Sequence, residues 1–408
     1  MDIYLVGGAV RDKLLNYPVH EYDWVVVGAT PQQLIDQGYR QVGRDFPVFL
    51  HPTTNEEYAL ARTERKTGPG YTGFSCYSAP DVTLEQDLLR RDLTINAIAE
   101  GDQGQLFDPY GGRRDLQHKI LRHVSENFIE DPLRVLRTAR FAARYHHLGF
   151  SIADETKALM SDIVANGELE HLAVERVWTE LDKALGERAP QIFIKVLREC
   201  GALQVLLPEL EELFGVSPIE KNYPEIDTGE HVLLSLIEAA KLSSNTAVRF
   251  AVLMRDLGKN AKSQGAGSSH IGNQQREIKL VSNICSRLKA PREHRDLALL
   301  TCQYNTYCHR ALELKPSTLL KTLEALDAFR RPERFRLFLL SCEADVKGRK
   351  GFQEIAYPQS AKFLQAFHAA LSVDNKAILA RGFEGKSIGE EIRRQRINAI
   401  AQTGSDTP

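Results

Sequence analysis

Residues 7–12 read Gly-Gly-Ala-Val-Arg-Asp, and residues 21–23 read Glu-Tyr-Asp. A short apolar run at residues 3–6 precedes the first stretch, and another at residues 22–27 overlaps the second. The two runs predict strands, and residues 9–15 between them predict a short helix. The chain is therefore expected to begin with a strand, a glycine turn, a helix and a second strand led by an acidic pair.

The acidic pair and the glycine turn together predict a nucleotide site. Side chains two apart on a strand share a face, so Glu21 and Asp23 are expected to present two carboxylates together. Such a pair can hold Mg²⁺, while the glycine turn lets backbone amides approach phosphates and Arg11 can neutralise them. Each feature alone is weak, because strand carboxylates are more often solvated than metal-bound. Their combination in this order is specific.

Two further charged stretches stand out. Residues 90–97 read Arg-Arg-Asp-Leu-Thr-Ile-Asn-Ala, a pattern that also fits a helix end with solvated charge. Residues 130–134 read Glu-Asp-Pro-Leu-Arg, where Asp131 fits a helix N-cap and Pro132 the first helical position. A cap does not explain the arginines that follow at steps of three along the helix, which are Arg134, Arg137 and Arg140.

These motifs resemble those of class II tRNA nucleotidyltransferases, the CCA-adding enzymes of the polymerase-beta-like superfamily. The resemblance implies an α+β fold, in which a nucleotidyltransferase head of mixed sheet and helices is followed by all-helical neck, body, HD-like and tail regions. The expected boundaries are 1–125 for the head, 126–222 for a neck and body with a nucleotide-reading helix, 223–330 for the HD-like domain and 331–408 for the tail.

The resemblance also implies a reaction: template-independent addition and repair of the 3′-terminal CCA of tRNA from CTP and ATP, with Mg²⁺ in a two-metal mechanism and release of pyrophosphate. It implies that Glu21 and Asp23 hold the metal, and that Asp131 and Arg134 read the incoming base. Cytosine and adenine each present an amino donor beside a ring-nitrogen acceptor, which a carboxylate and a guanidinium complement. The other implied nucleotide contacts are Gly8, Arg11, Arg91, Arg137 and Arg140.

The acidic pair departs from the family pattern at one position. The family usually has Asp where this chain has Glu21, whose side chain is one methylene longer. Mg²⁺ tolerates little deviation from octahedral geometry, so the rate or the metal preference is open to change, but we expect Glu21 to remain a ligand. Glu64 is a candidate for the third carboxylate that some members of the superfamily use.

Residues 231–326 resemble the HD phosphohydrolase domain attached to many bacterial CCA-adding enzymes. Of the implied metal ligands, His231, Asp256 and His270 remain. The His-Asp pair has become Arg255-Asp256, and Asn273 and Asn305 stand where further histidines are expected. A guanidinium is permanently charged and cannot donate a lone pair. The sequence therefore predicts a domain that binds no transition metal and is structural or faces tRNA.

Composition and charge limit the partners and the location. Lys plus Arg (52) nearly balances Asp plus Glu (54) over 408 residues, so tRNA must be held by local basic patches. The candidate tRNA-docking residues are Arg144, Lys183, Arg198 and 393–396, each of which fits solvated surface charge as well. Six scattered cysteines fit reduced thiols, and no apolar run approaches a membrane span. We expect a cytoplasmic protein that binds no membrane, with no protein partner evident.

Three alternative functions stay open at this point. A bacterial poly(A) polymerase shares the head motifs, but such enzymes typically carry a strongly basic extension and this chain has a net charge of −2. The sequence poorly distinguishes an enzyme that adds only CC or only A from one that adds the whole CCA. The glycine-rich loop at residues 66–73 is intact, which favours full CCA addition. A catalytically inactive tRNA-binding protein is the third alternative. It would explain Glu21 and the lost histidines as decay.

Overall fold

The computed structural model describes residues 1–19, 21–42, 48–66, 74–215, 227–258 and 270–403. The chain divides into two compact units, Met1–Leu206 and Leu207–Pro408. The expected finer division at residues 125, 222 and 330 stays a prediction. The second of those boundaries, like most of the glycine-rich loop, lies outside the described residues.

The first unit begins with a mixed seven-stranded sheet of order β3-β4-β5-β2-β1-β8-β9. Its strands are β1 Asp2–Val6, β2 Asp23–Val27, β3 Arg40–Val42, β4 Val48–Leu50, β5 Glu57–Leu60, β8 Ala99–Glu100 and β9 Leu106–Phe107. Only the β2–β5 pairing is parallel among the described strands of this sheet. Two small sheets pair β6 Thr63–Lys66 with β7 Phe74–Tyr77, and β10 Ile120–Leu121 with β11 Ser151–Ile152.

Alternation along the central strands builds a core on each face of the sheet. Val25 packs in one buried cluster with Val6 and Leu88, whereas its neighbour Val26 packs in another with Phe49. Successive strand side chains point to opposite faces, so two consecutive valines fill two cores. This burial on both sides holds β1 and β2 in one register, and their ends carry the predicted site residues.

The remainder of the first unit is mostly helical. Its helices are α1 Gly8–Leu14, α2 Pro31–Asp36, α3 Leu84–Leu89, α4 Gly112–His118, α5 Leu133–Tyr145, α6 Asp154–Ala165, α7 Val174–Gly186, α8 Pro190–Glu199 and α9 Ala202–Leu206. Thr30 and Thr83 begin α2 and α3 with capping boxes, each hydroxyl accepting a hydrogen bond from the third helical N–H. The strands predicted at residues 3–6 and 22–27 and the helix predicted at residues 9–15 agree with the observed bounds to within one residue. The short strands β8 and β9 are among the elements that were not predicted.

The second unit is helical throughout its described residues. Its helices are α10 Pro208–Glu211, α11 Thr228–Leu242, α12 Thr246–Met254, α13 His270–Arg287, α14 Arg292–His309, α15 Pro316–Ala325, α16 Pro332–Lys347, α17 Pro358–Leu371, α18 Asn375–Ala380 and α19 Lys386–Gln402. None of the helices in the described ranges is both long and apolar enough to cross a bilayer. All six cysteines are free thiols.

Candidate active site

The glycine turn and the acidic pair lie side by side because β1 and β2 are antiparallel. Val6 pairs with Asp23, so the strand that ends at the turn lies against the start of the strand that carries the acid. Gly7 has a positive φ of 68°, a conformation that side chains rarely adopt, and α1 begins at the next residue, Gly8. The predicted strand–turn–helix–strand unit is confirmed. β2 begins at Asp23 and not at Tyr22, so Glu21 lies before the strand, and the expectation that the two acids share one strand face was wrong.

Both carboxylates of the acidic pair are exposed at this end of the sheet. Desolvation raises the pKa of Asp23 above its ordinary value; Arg91 acts against this shift, and Glu21 adds to it. The Glu21 charge is therefore near enough to disfavour ionisation of Asp23, as a like charge does. Two adjacent, exposed carboxylates of this kind form an oxygen donor set that suits a hard divalent cation.

Arg91 lies between the glycine turn and Asp23. Its guanidinium is fixed by Asp87, which is fully buried and accepts from Arg91 Nη2 at 3.2 Å and from Arg90 Nη2 at 2.7 Å. A Cβ atom at Gly7 would come within 2.7 Å of Arg91 Nη1. The turn therefore needs glycine both for its backbone conformation and for the close approach of this arginine. The result is a cation beside a glycine turn and an acidic pair.

The resemblance to CCA-adding enzymes implies that CTP is a substrate, and we expect Gly7→Ala to lower kcat/KM for CTP by about 10-fold or more, because the new methyl strains the backbone and displaces Arg91. The measurement is steady-state nucleotide incorporation. Gly104→Ala is the matched control, since Gly104 also has a positive φ of 77° but a Cβ there meets no atom within 4 Å. It should cost only about 1 kcal/mol of stability. Equal activity of the two variants would contradict the role given to the turn.

Arg11 is buried in a network that runs from α1 to α5. Its Nε donates to Asp12 at 2.9 Å, its Nη1 donates to Asn96, and its guanidinium carbon lies 5.0 Å from the centre of the Phe141 ring. Asp12 in turn accepts from Arg144 at 3.1 Å. Arg11 is therefore held by the protein itself, and its permanent charge is set in place rather than free to move.

Asp92, the third residue of the Arg-Arg-Asp motif, anchors the middle arginine of α5. Arg137 Nε donates to Asp92 Oδ2 at 2.7 Å, and Asn96 Nδ2 and the Leu93 N–H donate to Oδ1 at 2.9 and 2.8 Å. Burial acts to raise the pKa of Asp92, but Arg137 and these hydrogen bonds outweigh it and hold the pKa below its ordinary value. The motif is therefore a buried ion-pair site and not a solvated helix end.

The two residues predicted to read the base lie at the start of α5. Asp131 is half-buried, and its Oδ1 accepts from the Leu133 N–H at 3.1 Å, so it caps the helix although the helix begins at Leu133. Arg134 is buried, with Nη1 donating to the Asn127 carbonyl at 2.8 Å and Nη2 to the Arg90 carbonyl. A guanidinium has five N–H groups, so these two bonds fix its plane and leave donors for a ligand.

Helix α7 supplies partners that sequence reasoning missed. Arg176 Nη2 donates to Asp131 Oδ2 at 2.9 Å, and Nη1 approaches Oδ1 at 3.3 Å. One turn further along α7, the buried Glu180 accepts from Arg140 Nε at 2.7 Å. The three arginines of α5 therefore have different partners. Arg134 contacts two backbone carbonyls, Arg137 contacts Asp92 and Arg140 contacts Glu180, as expected for a row that drifts around its helix.

Other predicted residues lie in different surroundings. Glu64 Oε1 accepts from Arg62 Nε and from Arg90 Nη1, both at 2.9 Å, so two guanidinium groups already compensate this candidate third carboxylate. Arg144, expected at a docking surface, is bound to buried Asp12. Lys183 and Arg198 are exposed. In the tail cluster, Arg393, Arg394 and Arg396 contact Glu324, Glu391 and the Phe329 ring respectively.

A second cluster of ionisable side chains is buried in the second unit. His231 Nε2 lies 2.9 Å from Asp345 Oδ1 and 3.8 Å from Asp256 Oδ2, and Arg255 Nη1 donates to both carboxylates. The sequence pointed to His231, Arg255 and Asp256 but missed Asp345. The structure describes only the backbone of His270 and Asn273.

Two family models match the chain, the first within the first unit and the second across its end at Leu206. The one described as the poly A polymerase head domain matches residues 3–122, and the one described as "Probable RNA and SrmB- binding site of polymerase A" matches residues 149–214. A CCA-adding enzyme in its apo form II has a TM-score of 0.67 at 19% identity, covering 99% of this chain and 91% of that one. The Thermotoga maritima CCA-adding enzyme complexed with tRNA_CCA has a TM-score of 0.61 at 22% identity, covering 100% and 88%.

The mixed sheet, the glycine turn and the acidic pair, together with the match to the poly A polymerase head, define residues 3–122 as a nucleotidyltransferase head. A multifunctional CCA protein of Teredinibacter turnerae is 58% identical over 400 residues, 98% of this chain and 97% of that protein. Those of Thioalkalivibrio sulfidiphilus and Vibrio cholerae are 58% and 56% identical over 98% of this chain, and 98% and 99% of theirs. The chain belongs to the family of multifunctional CCA proteins.

Proposed function

We propose that this protein adds and repairs the 3′-terminal CCA of tRNA in the cytoplasm, using CTP and ATP and no template. The observation that carries the proposal is the placement of Asp23 beside the Gly7 turn, with Arg91 between them. Full-length relatives named multifunctional CCA proteins support it. A poly(A) polymerase is less well supported, because those relatives match both units of this chain and not only the head.

Glu21 and Asp23 are the residues we assign to the metal. Their exposure and the effect of the Glu21 charge on the pKa of Asp23 fit a cation of charge two, and oxygen donors fit Mg²⁺ in particular. When bound, Mg²⁺ supplies charge stabilisation at the transferring phosphoryl group and a more acidic attacking hydroxyl. The longer Glu21 side chain reaches the same position with one more rotatable bond, so Asp23 is the better ordered of the two ligands.

The reaction is an in-line displacement at phosphorus. The 3′-hydroxyl of tRNA releases its proton to solvent as its oxygen forms a bond to the α-phosphorus of the nucleotide. The bond from that phosphorus to the oxygen that bridges to the β-phosphate breaks, and pyrophosphate leaves. Arg91 and the backbone at Gly8 bind the triphosphate. Arg137 contributes its partly exposed guanidinium to the nucleotide, while Arg11 and Arg140, each buried in an ion pair, hold α1, α5 and α7 in place.

Base choice is assigned to Asp131 and Arg134. A carboxylate has about four lone-pair sites, and the bonds from Arg176 and Leu133 leave acceptor capacity for the amino group of cytosine or adenine. The remaining Arg134 N–H groups donate to the adjacent ring nitrogen. Uracil and guanine present the reverse order of donor and acceptor, so they leave both protein groups unpaired.

The experiment that tests the function uses pure full-length protein, Mg²⁺, labelled nucleotides and three tRNA transcripts. The first lacks the whole CCA end, the second lacks only the terminal A, and the third carries the complete CCA. We expect one CCA on the first, one A on the second and nothing on the third. Removal of Mg²⁺ with a chelator should abolish all incorporation. Long A tails on the complete transcript would identify a poly(A) polymerase, and products that stop at CC or need CC would identify a partial enzyme. No incorporation into any transcript would reject the proposal.

A further inference from the structure

The second unit brings together the side chains of a metal site from three separate helical segments. His231 lies on α11, Asp256 follows α12 and Asp345 lies on α16, and one ligand atom from each lies within 4.8 Å of the others. Their exposed fractions are 4%, 2% and 1%. One imidazole and two carboxylates form a mixed nitrogen and oxygen donor set of the kind that divalent transition metals accept.

The same cluster already contains a cation, which is the guanidinium of Arg255. Arg255 is buried, with 6% exposure, and its Nη1 donates to Asp256 Oδ2 at 2.8 Å and to Asp345 Oδ1. Asp345 is also approached by His231 Nε2 at 2.9 Å and by His309 Nε2 at 3.0 Å. A single guanidinium nitrogen therefore bridges the two carboxylates that a metal ion would bridge.

We propose that the guanidinium of Arg255 takes the place of a divalent metal ion among His231, Asp256 and Asp345. In this chain the cluster is an internal ion pair that excludes metal. The single change Arg255→His converts it into a divalent transition-metal site. This inference concerns the second unit and is independent of nucleotide addition by the first.

Electrostatics explain why a metal does not displace the arginine. Two buried carboxylates need compensating charge, and Arg255 supplies it from the residue next to Asp256 without loss of translational freedom. An entering ion would have to displace a guanidinium that stays charged at any accessible pH and already binds both carboxylates. Histidine differs because its neutral imidazole offers a lone pair, so the variant gains a fourth donor as it loses the cation.

The test titrates full-length wild-type protein and Arg255→His with Co²⁺ and Ni²⁺ after treatment with a chelator, by calorimetry and by Co²⁺ absorption. Each protein is compared with the same protein carrying Asp345→Asn, so that ions bound by the carboxylates of the head are subtracted from the total. We expect wild type and Asp345→Asn to bind the same number of ions per chain. We expect Arg255→His to bind one additional ion per chain, which its Asp345→Asn counterpart loses. A wild-type ion that depends on Asp345, or a folded Arg255→His with no additional ion, would overturn the proposal.

Folding is followed separately because Arg255→His removes a buried cation. Without metal its Tm should lie below that of wild type, and Ni²⁺ in excess should raise it by roughly 5 °C, whereas wild type should not respond. Arg255→Leu removes the cation without adding a donor, so it should be destabilised and unresponsive to Ni²⁺. Failure of Arg255→His to fold even with Ni²⁺ would count against the proposal.

Wild-type protein gives a further readout that needs no variant to fold. We expect Co²⁺ and Ni²⁺ to produce no hydrolysis of bis(p-nitrophenyl) phosphate or p-nitrophenyl phosphate above that of the ions alone. Metal-stimulated hydrolysis that is lost in Asp345→Asn would overturn the proposal, since it would show a functional metal where we place the guanidinium.

Discussion

Asp23→Asn is expected to lower kcat/KM for CTP addition by about 10³-fold or more, equivalent to roughly 4 kcal/mol of transition-state stabilisation. Asparagine keeps the shape of the side chain but removes the charge that we propose holds a divalent cation beside the glycine turn. Asp23 is exposed at the start of β2, so the fold should survive the change. The measurement is single-turnover addition of CTP to a tRNA transcript that lacks its CCA end, over a range of Mg²⁺ concentrations.

Asp36→Asn is the control for loss of one head carboxylate, since Asp36 is exposed at the end of α2 and is not one of the residues assigned to the site. It should retain wild-type activity. The raised pKa of Asp23 adds a second readout: protons compete with metal for this carboxylate at higher pH than for an ordinary one. The acid limb of the wild-type profile should therefore move to lower pH as Mg²⁺ is raised. Unchanged turnover in Asp23→Asn would remove the basis for the metal assignment.

The parts of the head that follow from local sequence were predictable. Consecutive valines and a glycine pair determine the strand, turn and helix at the site, and threonines at 30 and 83 begin their helices by local hydrogen bonds. The strands β8 and β9 were not predictable, because a strand of two residues is too short to show the alternation of apolar and polar residues. Ala99 and Glu100 form a strand only because β1 lies alongside them.

The hydrogen-bond partners of the site residues could not be predicted from the sequence either, because they too depend on contacts between distant parts of the chain. Arg176 lies 45 residues from Asp131, on a helix where it resembles an ordinary surface charge, and only the packing of α7 against α5 brings them together. Asp345 lies 90 residues from Arg255 in the same way. A motif predicts which chemical groups a site contains, but the long-range ion pairs that hold those groups in position depend on the tertiary fold.

Base selection is where those long-range contacts should have their largest functional effect. We expect the double variant Asp131→Ala/Arg134→Ala to lose most of its preference for CTP and ATP over UTP and GTP. One well-placed bidentate pair is worth about 1–3 kcal/mol of discrimination, or roughly 5- to 150-fold. Because Arg134 is held by the Asn127 and Arg90 carbonyls and Asp131 by Arg176, the wild-type pair is already fixed in position before a base arrives.

The measurement compares kcat/KM for all four nucleoside triphosphates on a tRNA transcript that lacks its CCA end. The value of kcat/KM for CTP should fall while the values for UTP and GTP change much less. The ratio of kcat/KM for CTP to that for UTP or GTP should therefore decrease. Asp154→Ala/Lys157→Ala removes an exposed acid and base that pair at 3.3 Å on α6, and it should leave that ratio unchanged. A double variant that is slow with all four nucleotides but keeps the wild-type ratio would show that these residues bind the nucleotide without reading it. Base choice would then have to lie elsewhere in the head or neck.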